Sequence, residues 1–319
     1  MTSILISGGT GFLGRHISKY LLDDPSFTRV AILSRDWHKQ NELRSELGNP
    51  ERFRWFIGDV RDRDRLMRAF DGINYVVHAA AIKDVVSSEY NPRETMLTNV
   101  LGTQNVIDAA IDCGVEKVLL ISSDKGCLPL NCYGKTKALA ESLTIAANSY
   151  SPHTTKFSVA RYGNVTASSS SVIPLFRRQA DSGVLTVTDV DMTRFWVTPR
   201  QAVEFIFRCL EQMVGGEIFV PHLPSSKIVD LALAVSPQAK IEIIGSRPGE
   251  KKHEVMITPE ESAHTQDIGW AYVVEPQFPF WNRGFLSGGS PVPVDWTYSS
   301  ASAQRLSRDD IKVMLDDTE

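Results

Sequence analysis

One stretch constrains this chain more than any other: the apolar run Ile4-Leu5-Ile6-Ser7, which ends in Gly8-Gly9-Thr10-Gly11-Phe12-Leu13-Gly14. The run reads as a buried strand, and the glycines after it permit a turn that larger residues would obstruct. Apolar residues then recur at helical spacing from Phe12 to Leu22, until Asp23, Asp24 and Pro25 stop them. Strand, glycine turn and helix in this order make a cradle for a dinucleotide. Gly8 allows the tight turn, Gly11 the close approach of a pyrophosphate, and Gly14 close helix packing, while the helix-terminal N–H groups face the phosphates. Gly8, Thr10, Gly11, Phe12, Leu13 and Gly14 are therefore expected to face the cofactor.

The same rhythm continues downstream. Val30 to Leu33, Phe53 to Ile57, Tyr75 to His78, Val118 to Ser122 and Phe157 to Ala160 read as strands. Arg61 to Phe70, Glu94 to Cys113 and Cys132 to Ser149 read as helices between them. Short apolar strands alternating with helices predict an α/β fold, a Rossmann-type parallel sheet with helices on both faces. Beyond about residue 164 the alternation loosens. Ser168 to Ser171 precede a helix around Pro174 to Ser182, another helix is expected from Pro199 to Met213, and Glu217 to Val220 reads as a strand. Residues 275–300 look like loop, and Arg308 to Leu315 like a last helix. We expect a dinucleotide-binding domain over 1–165 and a smaller, discontinuous, mainly substrate-binding lobe over 166–319, with parts around 195–225 returning to the first domain.

Composition excludes several classes. A formal net charge of -4 provides no broad basic surface for nucleic acid. No run approaches the roughly 20 apolar residues of a membrane span, so a soluble protein is expected. Cys113, Cys127, Cys132 and Cys209 have neither metal-ligand spacing nor the density of a disulfide scaffold. No metal is expected, and a reducing cytoplasm fits.

At the end of the second strand, Asp36 lies 22 residues after Gly14, where a carboxylate can hold the adenine-side ribose. Ser34, Arg35 and Lys39 surround it with a hydroxyl and two cations suited to a 2′-phosphate, so NADP is expected over NAD. The other reading is that Arg35 and Lys39 solvate a strand-end loop. Asp59 and Val60 close the third strand, where an adenine could receive a hydrogen bond and an apolar contact.

The densest chemical signal is Ser122-Ser123-Asp124-Lys125 followed by Tyr133-Gly134-Lys135-Thr136-Lys137. Tyr133 and Lys137 fall four apart, on one face of a helix. A nearby ammonium favours a phenolate, which predicts a lowered Tyr133 pKa, a base for a sugar hydroxyl, and Lys137 as both its electrostatic partner and a ribose ligand.

With these motifs the chain resembles an extended short-chain dehydrogenase/reductase, and within that superfamily the soluble UDP-N-acetylglucosamine 4,6-dehydratases that invert C5. Further carriers of the resemblance are Ser34-Arg35-Asp36, Gly58-Asp59-Val60-Arg61-Asp62, His78-Ala79-Ala80-Ala81, Thr98-Asn99-Val100, Arg161-Tyr162-Gly163-Asn164-Val165, Met192-Thr193-Arg194-Phe195-Trp196, Gly216-Glu217-Ile218-Phe219-Val220-Pro221 and Arg247-Pro248-Gly249-Glu250-Lys251. The resemblance implies a cycle without net redox change. Tyr133 removes the C4 hydroxyl proton as NADP takes the hydride, Lys125 removes the C5 proton, Asp124 protonates the departing C6 hydroxyl, the hydride returns to C6, and C5 is reprotonated on the opposite face. As a base, Lys125 must have a lowered pKa.

It also implies that Ala79, Ala80, Ala81, Asn99 and Ser122 join the cofactor site. Lys83, Asn164, Val165, Arg194, Arg247 and Glu250 are implied to contact a UDP-sugar, and a homo-oligomer is implied. Phe195 and Trp196 admit stacking on the substrate or packing in the core. The chain departs from the pattern at Asp84, Val86, Gly126-Cys127 and Ser169-Ser170. Two other readings stay open: a nucleotide-sugar epimerase or related sugar-modifying enzyme, which lacks the water loss that Asp124-Lys125 favours, and a noncatalytic nucleotide-binding regulator.

Overall fold

The structure is a computed structural model and describes residues 2–151, 155–166, 168, 172–281, 286 and 288–316. Strand β1 (Thr2–Ser7) runs into the glycine turn and helix α1 (Phe12–Asp23), followed by β2 (Phe27–Ser34), α2 (Trp37–Glu46), β3 (Phe53–Ile57), α3 (Arg63–Phe70) and β4 (Tyr75–His78). Then come α4 (Val85–Tyr90), α5 (Pro92–Met96), a π-helical stretch at Leu97–Leu101, α6 (Gly102–Asp112), β5 (Lys117–Ile121), α7 (Cys132–Tyr150) and β6 (Lys156–Ala160). The strands pair in parallel in the order β3-β2-β1-β4-β5-β6. The order reverses between β1 and β4, and in such sheets the crevice beyond the strand ends at the reversal takes the ligand.

The second half interleaves with the first. After β7 (Asn164–Val165), α8 (Val172–Ala180), β8 (Val184–Val187) and β9 (Thr193–Val197), helix α9 (Pro199–Gln212) packs against α1 and β5. Strand β10 (Ile218–Pro221) then joins the main sheet in parallel beside β6. The remaining elements are β11 (Ser225–Lys227), α10 (Ile228–Val235), β12 (Lys240–Ile243), β13 (Val255–Ile257), α11 (Pro259–Ser262), β14 (Thr265–Asp267), β15 (Ala271–Val274), β16 (Ser290–Pro291), β17 (Tyr298–Ser299) and α12 (Arg308–Asp316). Strands β15, β14 and β16 extend the main sheet beyond β10 in antiparallel pairing. The lobe consists of small sheets β11-β9-β7, β12-β8 and β13-β17.

Each face of the main sheet carries its own apolar core. Ile4, Ile6, Ile32 and Val77 lie in one, and Leu5, Ala31, Leu33 and Val76 in the other. Alternate residues of one strand thus bury on opposite faces, as a sheet covered on both sides requires. A third core, with Phe176, Trp196, Leu231 and Ile311, belongs to the lobe.

Several elements differ from their sequence reading. Helix α2 follows a strand without apolar periodicity; Trp37 and Leu43 are its only large apolar residues, and its start is marked instead by Asp36, whose carboxylate caps the Lys39 N–H at 3.1 Å. The helical run expected over Glu94 to Cys113 is interrupted by the π-helical stretch. The region 275–300 contributes β16 and β17 rather than only loop. Among the described residues no helix is long and apolar enough to cross a membrane.

Candidate active site

A cavity of about 870 Å³ opens over the strand ends and runs from the glycine turn into the lobe. At its floor Gly8 has φ +69°, and a Cβ there would sit 2.8 Å from the Ala80 Cα. A Cβ on Gly14 would sit 2.5 Å from the Gly9 Cα. Both positions exclude any side chain, which lets α1 start directly against the turn. Its N-cap, Gly11, offers no side chain to the first N–H groups of the helix, so these donors remain available to a phosphate. That cradle fits the pyrophosphate of a nicotinamide dinucleotide.

Around it the cavity is lined by Gly8, Thr10, Gly11, Phe12, Leu13 and Gly14, by Ser34, Arg35, Asp36 and Lys39, by Asp59 and Val60, and by Ala79, Ala80, Ala81 and Ser122. Asn99 is not brought to the wall. It is 2 % exposed, and its side-chain amide brackets the Ile82 backbone, accepting from N at 2.8 Å and donating to O at 2.9 Å, while also donating to the Thr136 hydroxyl. It ties the loop after β4 to α7 from behind.

Tyr133, Lys137, Asp124 and Lys125 line the middle of the same cavity. Asn131 caps α7 by accepting from the Gly134 N–H at 2.8 Å, which sets the helix start. A Cβ on Gly134 would collide with the Lys125 carbonyl oxygen. The glycine between Tyr133 and Lys137, unremarked in the sequence, is thus what lets α7 lie against the Asp124–Gly126 turn.

The electrostatics differ from expectation at two residues. Lys137 donates to the Ile121 carbonyl at 2.5 Å, and burial pushes its pKa down to about 8 against a partial offset from Glu141. Burial likewise raises the Tyr133 pKa rather than lowering it, and the cation that opposes this is Lys125, helped by the Ser123 hydroxyl, rather than Lys137. At Lys125 burial favours the neutral amine, but the Asp124 and Glu254 carboxylates outweigh it and raise the pKa. The expected lowering does not occur, because two anions face the ammonium: Asp124 Oδ1 lies 3.1 Å and Glu254 Oε1 3.5 Å from its Nζ. Asp124 is itself fully buried, which raises its pKa against the pull of Lys125. Its Oδ1 accepts from the Ser123 hydroxyl at 2.8 Å, and its Oδ2 has no hydrogen-bond partner.

The lobe closes the far end. Lys83, Asn164, Val165, Arg194, Arg247 and Glu250 all line the cavity. Arg194 pairs with Glu250 at 3.2 Å, and Asn164 Oδ1 lies 3.4 Å from Lys125 Nζ. Burial lowers the Lys83 pKa. Phe195 and Trp196 are 0 % and 1 % exposed and pack in the core rather than on a substrate. Asp84 caps α4, accepting from the Ser87 N–H at 2.7 Å, and Val86 is exposed beside it. Ser169 and Ser170 lie outside the described residues.

Two groups were assigned no role from the sequence. Glu254 and Lys251 also line the cavity. Behind it, Arg161 is buried between Glu141 at 2.6 Å and Glu261 at 2.9 Å, while Glu141 accepts from the Ser122 hydroxyl at 2.5 Å. The motif Arg161-Tyr162-Gly163 held the signal for Arg161, but its partners lie 20 and 100 residues away. Among the described residues no group of three His, Cys, Asp or Glu side chains is placed to hold a metal ion.

The cradle, the parallel sheet with its reversal, and Tyr133 and Lys137 one helical turn apart define an extended short-chain dehydrogenase/reductase. Residues 4–276 match the family model described as polysaccharide biosynthesis protein, and the chain belongs to that family. It is 45% identical over 281 residues to a UDP-N-acetylglucosamine 4,6-dehydratase (inverting) of Campylobacter jejuni, covering 87% of this chain and 84% of the relative. It is 39% identical over 324 residues to a UDP-glucose 4-epimerase of Rickettsia akari, covering 98% and 95%. Pen from Bacillus thuringiensis superposes with a TM-score of 0.90 at 34% identity over 99% of this chain and 97% of that one. The dTDP-glucose 4,6-dehydratase DesIV of Streptomyces venezuelae, solved with NAD bound, superposes with a TM-score of 0.70 at 24% identity over 78% and 86%.

The expectation of NADP is corrected. DesIV and a UDP-glucuronic acid 4-epimerase of Bacillus cereus, which share this fold, hold NAD. In this chain the cations expected to clamp a 2′-phosphate face carboxylates instead: Arg35 lies 3.7 Å from Asp59, and Lys39 3.8 Å from Asp36. The Ser34 hydroxyl accepts from Gln40 at 2.9 Å. A 2′-phosphate would meet Asp36 and Asp59, whose charges repel it.

Proposed function

We propose that this chain is an NAD-using nucleotide-sugar 4,6-dehydratase that inverts C5, with UDP-N-acetylglucosamine as its substrate. The observation that carries this reading is the fully buried Asp124, with an unpartnered carboxylate oxygen, beside Lys125 in the cavity that also holds Tyr133. An epimerase needs Tyr133 and the cofactor but no acid for a departing C6 hydroxyl.

The glycine turn, Asp36, Asp59 and Lys137 would hold NAD, which when bound supplies a hydride acceptor and donor beside the sugar. Tyr133 takes the proton of the C4 hydroxyl on its phenol oxygen. Its raised pKa makes it a weak acid and a strong base once ionised, and the Lys125 ammonium and Ser123 hydroxyl favour that ionised form. A ketone at C4 acidifies the C5 proton. Asp124 suits the acid role, because burial raises its pKa against the pull of Lys125 and Oδ2 is free of other bonds. Lys125 can take the C5 proton only after releasing the one its carboxylate neighbours hold on it, so we assign the two proton transfers to the Asp124–Lys125 pair as a unit. Arg194, Arg247 and Lys83 would meet the diphosphate, Arg194 and Arg247 through forked, charge-assisted bonds.

All four cysteines are free thiols, which supports a cytoplasmic setting. Val86, Tyr90, Met96, Leu101 and Leu139 are exposed along α4 to α7, which supports a homo-oligomer that covers them.

Incubation with UDP-N-acetylglucosamine in deuterated water, followed by mass and NMR analysis, tests the reading. Loss of one water, a new C6 methyl and deuterium at an inverted C5 are expected. A C4 epimer without water loss would replace this reading with the epimerase one, and the absence of turnover on UDP-, GDP- and dTDP-sugars with the binding-protein one.

A further inference from the structure

Glu254 is the most buried acid in the cavity wall after Asp124, at 2 % exposure, and the catalytic scheme above gives it no step. It lies just ahead of β13, more than a hundred residues from the Asp124–Lys125 turn. Its backbone is held on both sides by Ser300: Glu254 N donates to the Ser300 hydroxyl at 2.9 Å, and Ser300 N donates to the Glu254 carbonyl at 2.8 Å. From this anchor the carboxylate faces three cations, Lys125 and Arg194 on other elements and Lys251 three residues earlier on its own segment. Oε1 lies 3.5 Å from Lys125 Nζ and 3.9 Å from Arg194 Nε, and Oε2 lies 3.4 Å from Lys251 Nζ. Oε2 has no hydrogen-bond partner. Burying a carboxylate this deeply costs stability unless cations compensate it. Of the three it faces, Lys125 alone pairs with Asp124.

We propose that Glu254 is a positioning residue that holds the Lys125 ammonium in line with Asp124 and so sets the resting proton state of the pair. This rests on the reading of Asp124 and Lys125 as the proton-transfer pair. Lys125 is faced by Asp124 on its own turn, by Glu254 ahead of β13, by Arg194 of β9, by Asn164 of β7 and by Tyr133 of α7. Among these only Asp124 and Glu254 are carboxylates. Removing the Glu254 charge leaves Arg194 opposed to Lys125 with one anion fewer between them, so the ammonium gives up its proton more readily. Lys251 also donates to the Asp124 and Cys127 carbonyls at 3.4 Å and 2.5 Å, which buttresses the turn that carries Lys125.

The test compares wild type, Glu254→Gln and Glu254→Asp with UDP-N-acetylglucosamine in deuterated water, with kcat and KM followed across pH and folding by thermal melting. With the amine no longer held in line with Asp124, kcat in Glu254→Gln is expected to fall roughly tenfold to hundredfold, below the full effect of losing an acid–base group. KM should stay within about twofold, since the lost interaction is not one made with bound substrate. The limb of the pH profile governed by Lys125 should move to lower pH, and Glu254→Asp should recover part of both changes. Wild-type kcat and an unmoved profile in the glutamine variant would overturn the proposal, as would a rise in KM with kcat held. If that variant does not fold, NMR titration of the lysine side chains in the wild type decides, and Lys125 losing its proton at or below the ordinary lysine pKa would overturn the proposal. A wild type that releases no water fails the dehydratase reading instead, and the lysine titration, which needs no turnover, still decides the placement of Glu254.

Discussion

The nucleotide half and the substrate lobe are built by different rules. From β1 to β6 each parallel strand is followed by a helix that crosses back to the sheet, so that, apart from β1 and β4 at the reversal, neighbouring strands are consecutive in the chain. The lobe instead pairs Ser225 with Phe195, Lys240 with Val184, and Val255 with Ser299, in strands of two to five residues. A crossover unit carries its own hydrophobic pattern and turn chemistry, whereas a three-residue strand has no identity until a distant partner supplies its hydrogen bonds. The first kind of region can therefore be read along the chain, and the second cannot. The site lies where the two meet.

Arg161 links the two halves through Glu141 of α7 and Glu261 of α11. Arg161→Met leaves the buried Glu141 and the half-buried Glu261 without their cation and should lower the unfolding free energy by about 3–5 kcal/mol. Urea unfolding followed separately by cofactor binding and by Trp196 environment measures it. Should the lobe loosen while the nucleotide half keeps its stability, the two are separate folding units. A single cooperative loss makes them one.

Gly134→Ala probes the contact between α7 and the Asp124–Gly126 turn. A displacement of about 1 Å between Tyr133 and Lys125 is expected to reduce kcat on the order of hundredfold, while dinucleotide affinity, measured by fluorescence titration, stays near wild type. Equal losses of both would place the damage in the nucleotide half.

Lys137 gives a pH signature. Its pKa falls from 10.5 to about 8 on folding because burial disfavours the ammonium. Between these values the unfolded chain binds more protons than the native one, so stability should rise with pH across that window, by about 3 kcal/mol at most. Below pH 8 both states are protonated and the slope vanishes. Unfolding curves from pH 7 to 10.5 should therefore be steeper in pH for wild type than for Lys137→Met, and parallel curves would contradict the burial argument.

The smallest contrast uses two glycines in the left-handed region. Gly8 at φ +69° is crowded by Ala80, whereas Gly245 at φ +81° has open space around it. Gly245→Ala should cost only the backbone strain, about 1–2 kcal/mol, and leave cofactor affinity intact. Gly8→Ala should cost more and abolish that affinity. Calorimetry with and without NAD separates the two.

Much of the nucleotide half was legible because its signals are local: the glycine turn, the strand Tyr75 to His78 and the helix from Cys132 each declare themselves within a dozen residues. Helix α2 was not, since a polar helix on the surface shows no apolar period and only its cap at Asp36 marks it. Within the site, Asp124, Lys125, Tyr133 and Lys137 stood out by type and spacing, and the structure brings them into one cavity. Asn99 shared a motif with cofactor contacts but turns its amide to the backbone of Ile82, a direction that no pattern specifies.

By itself the sequence determined the α/β sheet, the phosphate cradle and which side chains could do acid–base chemistry, because these follow from periodicity, glycine and residue type. Only the tertiary structure decided the charge each group carries. Burial raises the pKa of Tyr133 and Asp124 and lowers that of Lys137, while Asp124 and Glu254, the latter more than a hundred residues further along, raise that of Lys125. The same holds for Arg35, whose cationic character suggests a phosphate clamp, but which the fold sets beside Asp59. A pKa or a binding preference depends on which groups stand within a few ångströms, and that is a property of the folded chain.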